Sequence, residues 1–176
     1  PTFRAAAASW VERRLGCQLD AGQVVACIGT KELVASLPRA LSLRDPTRDV
    51  VLYPEIAYPT YAMGATLAGL RPVPVPVDGS WHLDLERVAS TDAARALVLW
   101  LNDPSNPTGV ASSSDSLRGA VAWARERGIV VASDECYAEF TYDESGAPTD
   151  PVTALVAGTD GVLAVHSLSK RSNMAG

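Results

Sequence analysis

Apolar positions alternate along the chain between two kinds of pattern. Residues 1–16 carry Ala5 to Ala8, Trp10, Val11 and Leu15 on one helical stripe, so a helix is predicted there. Residues 23–28 form a short apolar run broken by Gly29, which predicts a strand. A helical pattern through Leu33, Leu37 and Leu41 follows, and Pro38 inside it predicts a kink or an early stop. Residues 49–53 are a β-branched run ending at Pro54, and residues 58–70 are a helix candidate. Residues 71–77 alternate Pro and Val. Proline cannot donate to a ladder, so this segment suits a sheet edge. A short helix is the most that residues 84–89 allow.

The second half is more regular. Residues 96–101 are a continuous apolar run, as expected of a strand covered on both faces. Ser112 to Ser114 offer caps for a helix with Leu117, Val121 and Ala124 inward, closed by Gly128. Further buried strands are predicted at 129–132 and 161–165. Strands separated by helices imply an α/β fold with a mainly parallel, doubly wound sheet and flanking helices. In such sheets ligands sit beyond the carboxyl ends of the strands.

Composition narrows the classes of function. The 176 residues are 47% hydrophobic and 20% charged, the composition of a globular chain. Twenty acidic against fifteen basic residues give a net charge of −5. That argues against a nucleic-acid partner, which needs a clustered basic face. No apolar run approaches the length of a membrane span. Cys17, Cys27 and Cys136 are too few and too scattered for a disulfide framework or a metal site, so no metal and a reducing cytoplasm are expected. Residue 1 is Pro, and the chain stops at Gly176 soon after Ser-Leu-Ser-Lys. A piece of a longer protein is therefore expected.

The chemistry-bearing residues fall just after the predicted strands. Gly29-Thr30-Lys31 opens a helix, where unpaired amides and the helix dipole make an anion site. A plain strand-to-helix turn is the alternative. Asn106 stands between Pro104 and Pro107, so its backbone is biased to an extended form. Its side chain is either aimed at a ligand or simply a turn former. Asp134 ends a buried strand, which is costly unless it meets a positive group or donors. A helix cap is the other reading. Glu135 is read as structural, and Cys136 as a packed thiol with no base to activate it. Ser167, Ser169 and Lys170 suit a phosphate, and Lys170 could also be a nucleophile that forms a Schiff base. An exposed basic loop is the alternative for this segment, and His166 and Arg171 are not lifted above it.

Four of these segments occur together and in order: Tyr58-Pro59-Thr60-Tyr61, Asn102 through Gly109, Asp134-Glu135-Cys136-Tyr137 and Ser167-Leu168-Ser169-Lys170. In this the chain resembles the fold-type-I, pyridoxal-phosphate-dependent aminotransferases of class I/II, over nearly its whole length. The resemblance implies that residues 1–176 are part of the large cofactor-binding domain. The family's phosphate arginine would then fall just after Gly176, and its N-terminal segment and its C-terminal small domain, which carries the arginine for the substrate carboxylate, would lie outside.

It also implies roles. Lys170 resembles the lysine that holds pyridoxal 5'-phosphate and moves the substrate proton. Asp134 resembles the acid that pairs with the pyridine nitrogen and keeps it protonated. Asn106 and Tyr137 resemble the pair on the cofactor's phenolic oxygen, with Tyr137 counted beside Lys170 and Asp134 in the catalytic set. Tyr58 resembles the stacking aromatic. Gly29, Thr30 and Lys31 resemble one wall of the phosphate cup, and Ser167 and Ser169 the other.

The segments around Glu55-Ile56-Ala57-Tyr58, Gly29-Thr30-Lys31-Glu32 and Lys170-Arg171-Ser172-Asn173 are most similar to the succinyldiaminopimelate aminotransferases of actinobacteria. That similarity implies amino transfer from glutamate to N-succinyl-2-amino-6-oxopimelate in lysine and diaminopimelate synthesis, in a homodimer acting on small amino and oxo acids. Two other functions would keep the same residues: a carbon–sulfur lyase of this fold, and the aminotransferase-like effector domain of a transcription regulator. The Tyr-Pro-Thr-Tyr and Ser-Leu-Ser-Lys-Arg-Ser-Asn segments favour the aminotransferase.

Overall fold

The computed structural model describes residues 2–174. Five parallel strands form one sheet: β1 (Val50–Pro54), β2 (Arg71–Val75), β3 (Ala96–Asn102), β4 (Val130–Asp134) and β5 (Val162–Val165), in the order β2-β1-β3-β4-β5. The Pro-rich β2 takes the edge, as its missing donors require. Among the described residues six α-helices accompany them: α1 (Phe3–Leu15), α2 (Thr30–Arg44), α3 (Thr60–Leu67), α4 (Ser90–Arg95), α5 (Ser114–Arg125) and α6 (Leu168–Ser172).

The strands alternate their side chains between two apolar layers, the period-2 rule at work. Val50, Leu52, Leu99, Leu101 and Val131 face α1 and α5, where they meet Val11, Leu15, Leu117 and Val121. Val51, Val98, Trp100 and Ala132 face α2 and α3, where they meet Val34, Leu37, Tyr61 and Ala65. With both faces covered, β3 is buried from Ala96 to Leu101. This is the doubly wound α/β sheet predicted above. The strand order reverses between β1 and β3, which opens a crevice at their carboxyl ends.

Four predictions need correction. Residues 24–28 make no strand: a 3₁₀ turn at Ala21–Gln23 leads into an extended segment with Val25 and Ile28 exposed. A strand needs a partner, and no described strand pairs with this one. An apolar cleft of about 570 Å³ separates it from β5. Pro38 does not stop α2, which runs on to Arg44. The carbonyl a proline at 38 leaves without an i+4 donor is that of Val34, and it faces α3 at Gly64. The helix after Tyr58 starts only at Thr60 and ends at Leu67. Residues 84–89 hold a 3₁₀ turn, Leu85–Arg87, and the unpredicted α4 follows.

Ser113 caps α5 by accepting from the Ser116 N–H at 3.1 Å, and Gly128 just beyond the helix has φ 65°. Both agree with the pattern of polar and glycine residues. No described helix is long and apolar enough to cross a membrane.

Candidate active site

The carboxyl ends of β3 and β4 lie in register, Asn102 beside Asp134. From there the chain builds a cavity of about 300 Å³. Among its lining residues are Thr30, Lys31, Tyr58, Asn106, Asp134, Tyr137, Ser167, Ser169 and Lys170. Every residue given a catalytic or cofactor-binding role from the sequence is therefore in its wall except Gly29. Gly29 stands just before α2 with an extended backbone and offers no side-chain cap. That leaves the first amides of α2 free of an intramolecular cap, beside the Thr30 hydroxyl.

Asp134 caps no helix, since a non-helical turn follows β4. Its carboxylate is fixed by two donors instead. The Tyr61 hydroxyl donates to Oδ2 at 2.8 Å, and the Cys136 N–H donates to Oδ1 at 3.3 Å. Asp134 is only 8% exposed, so these donors offset the cost of burying its charge. Tyr61 is fully buried, with its ring stacked on Trp100 at 5.0 Å. Burial first, and the Asp134 charge second, push the Tyr61 phenol far above its ordinary value, so it stays a donor. The same two causes push the Cys136 thiol up to about 12. That agrees with an inert, packed thiol.

The loop after β3 is organised by Asn102. Its amide donates to the Asp134 carbonyl at 3.1 Å, and its Oδ1 accepts from the Asn106 N–H at 2.7 Å. Asn106 is thus held at the cavity wall by a side chain to which the sequence reading assigned no role. On the far wall, Ser167 Oγ accepts from the Ser169 N–H at 3.1 Å and starts α6. Lys170 Nζ lies 5.5 Å from the Tyr137 ring centroid. Tyr58 meets Tyr61 edge-on at 6.1 Å.

Tyr61 and Asn102 are the residues that sequence reasoning missed. Both lie inside motifs already singled out, but their roles depend on contacts across the sheet. Glu135, read as structural, is buried beneath the site. It accepts from the Ala154 N–H at 2.8 Å and lies 3.2 Å from His166 Nε2. Among the described residues, no three His, Cys, Asp or Glu side chains gather into a metal site.

The site combines one amine, one fixed carboxylate, free helix amides with hydroxyls, and aromatic faces. Together they can hold a planar ring that bears a carbonyl and a phosphate.

Comparison with known proteins gives the same picture. A transaminase of Streptomyces rimosus, the 4-dedimethylamino-4-oxo-anhydrotetracycline transaminase OxyQ, is 46% identical over the whole chain. The LL-diaminopimelate aminotransferase of Desulforudis audaxviator is 42% identical, also over the whole chain. The chain covers 46% and 44% of these two relatives, less than half the length of either. A probable N-succinyldiaminopimelate aminotransferase of known structure from Thermus thermophilus is 32% identical. It superposes with a TM-score of 0.86 over 98% of this chain and 45% of its own length. The family described as aminotransferase class I and II matches residues 1–176, and the chain belongs to that family.

Proposed function

We propose that this chain is part of the large cofactor-binding domain of an aminotransferase that moves an amino group from glutamate to an oxo acid. Aminotransferases of class I and II depend on pyridoxal 5'-phosphate. The observation that carries the reading is the convergence of Lys170, Asp134, Asn106 and Tyr137 on one cavity beside the free amides of α2. These groups fit the cofactor. Lys170 would supply the amine for its carbonyl carbon, and the α2 amides with Thr30, Ser167 and Ser169 would hold its phosphate. When bound, the cofactor supplies an electron sink for the pair left on the substrate Cα.

The protein's own residues do the rest. Asp134, fixed by Tyr61 and the Cys136 amide, would hold a proton on the pyridine nitrogen. Asn106 and Tyr137 would donate to the phenolic oxygen. Tyr58 would lay a ring against the cofactor. The Lys170 amine, freed by substrate, would take the proton from the substrate Cα and return it to the cofactor's former carbonyl carbon, two atoms away across the nitrogen.

The finer assignment is to N-succinyl-2-amino-6-oxopimelate as acceptor, within lysine and diaminopimelate synthesis. The cofactor-side segments of the sequence support it, as does the likeness to the Thermus thermophilus protein. We extend the proposal to a homodimer in the cytoplasm.

The test uses the full-length protein loaded with pyridoxal phosphate. Glutamate alone is expected to bleach the absorbance band of the lysine-bound cofactor and to release 2-oxoglutarate, and N-succinyl-2-amino-6-oxopimelate is expected to restore the band. A band that glutamate never changes overturns the transfer from glutamate. Restoration only by other oxo acids overturns the succinylated acceptor.

A further inference from the structure

Arg171 follows Lys170 and takes no part in the roles proposed above. Its guanidinium is nevertheless held on two sides. Arg171 Nε pairs with Glu139 Oε2, and its Cζ lies 5.1 Å from the centroid of the Trp10 ring. The other oxygen of Glu139 accepts from Arg14 Nε at 3.0 Å. Trp10 and Arg14 stand one turn apart on α1, so the helix that supplies one side of the clamp also touches the carboxylate on the other. The Glu139 side chain is 19% exposed, which shields these pairs in part from solvent screening. The loop after β4 thus meets two consecutive residues of α6: Tyr137 lies under the Lys170 amine, and Glu139 holds Arg171.

Why should α6 need holding? It has five residues and buries none of them. A helix this short is not stable alone. The lysine stem is flexible, so the aim of its amine depends on how firmly its backbone is fixed. An arginine can meet both contacts at once, because its planar guanidinium pairs with a carboxylate at its edge and lies against a ring with its face.

We infer that Arg171, clamped between Glu139 and Trp10, is a positioning residue that fixes α6 so that Lys170 is presented to the cofactor cavity. The inference rests on the cofactor role proposed for Lys170.

The test compares the full-length protein with variants. Arg171→Met keeps the stem and removes both contacts. Capture of pyridoxal phosphate by Lys170, followed as the growth of its absorbance band, is expected to slow about tenfold, the effect of losing roughly 1.4 kcal/mol. The kcat falls alongside, while the KM for glutamate stays within about twofold. In the cofactor-free protein, amide hydrogen exchange at residues 168–172 is expected to quicken. Arg171→Lys, which keeps a positive charge for Glu139 and the Trp10 ring, restores part of the capture rate. Arg14→Met, which removes only the other partner of Glu139, leaves the rate within about twofold. Unaltered capture and amide exchange in Arg171→Met, with borohydride still trapping the cofactor on Lys170, overturn the clamp alone. Trapping on another residue in the unaltered protein overturns the cofactor role of Lys170 and the clamp with it.

Discussion

Each oxygen of the Asp134 carboxylate has one donor, and the stronger contact comes from a phenol that no water reaches. Tyr61 therefore does two separable jobs. Its ring fills the layer against Trp100, and its hydroxyl orients the acid. Tyr61→Phe separates them, since the stack remains and only the donor is lost. A hydrogen bond to a charged group contributes about 1.5–3 kcal/mol. The expected result is a stability loss near the lower end of that range and a fall in kcat of about tenfold, with KM little changed. Tyr61→Leu also removes the stack, and its cost is expected to reach about 3 kcal/mol or more. Denaturant melts and steady-state kinetics on the two variants check this. A Phe variant with unaltered kcat would leave the hydroxyl with a packing role only.

At the scale of elements, the contact between α2 and α3 decides where the free amides of α2 point. A Cβ on Gly64 would lie 3.0 Å from the Ala35 Cα, the Ala35 oxygen and the Val34 oxygen. All three are backbone atoms that no rotamer change can move. In an exposed helix Gly64→Ala would gain about 1 kcal/mol of propensity, but overpacking here costs about 1–3 kcal/mol, so a net loss is expected. Because α3 would push α2 away, cofactor affinity is expected to fall as well. A lowered urea midpoint and a raised Kd for pyridoxal phosphate are the measurements, and an unchanged or raised midpoint refutes the packing argument. The same contact shows what the sequence could disclose. The run from Ala96 to Leu101 could be read as a buried strand, because continuous apolarity signals cover on both faces. Lys170 and Asp134 could be found because they follow such strands. Pro38 misled because the cost of a proline depends on where the freed carbonyl lands, and here it lands against a glycine of another helix. Residues 24–28 misled because an apolar run states burial preference but not whether a pairing strand exists. Tyr61 and Asn102 stayed hidden because their partners lie on other elements.

Across the whole molecule, stability is tied to pH through an acid and an imidazole buried side by side beneath the site. Glu135 is 1% exposed, accepts from the Ala154 N–H and lies 3.2 Å from His166 Nε2, while Trp10 of α1 meets His166 edge-on at 5.1 Å. Burial pushes Glu135 up to about 7 and His166 down to about 4. A carboxyl held above its ordinary 4.5 favours the protonated form. Its contribution to stability is complete below about 4.5 and is lost as the pH rises through 7. His166 acts in the opposite sense, since its neutral form is favoured. Its contribution is complete above its ordinary 6.5 and is lost as the pH falls toward 4. The two effects oppose each other between about 4.5 and 7, and above 7 only the buried carboxylate still costs stability. Glu135→Gln keeps the shape, the acceptor for Ala154 and a group facing His166, but cannot ionise. It is therefore expected to raise stability at pH 8 by about 1–3 kcal/mol. At pH 5, where the native carboxyl is already protonated, it should change stability little. Urea midpoints of the cofactor-free, full-length protein at the two pH values decide the matter: a gain at pH 8 that disappears at pH 5 supports the buried acid, and equal midpoint shifts at both would mean that Glu135 does not change charge between them.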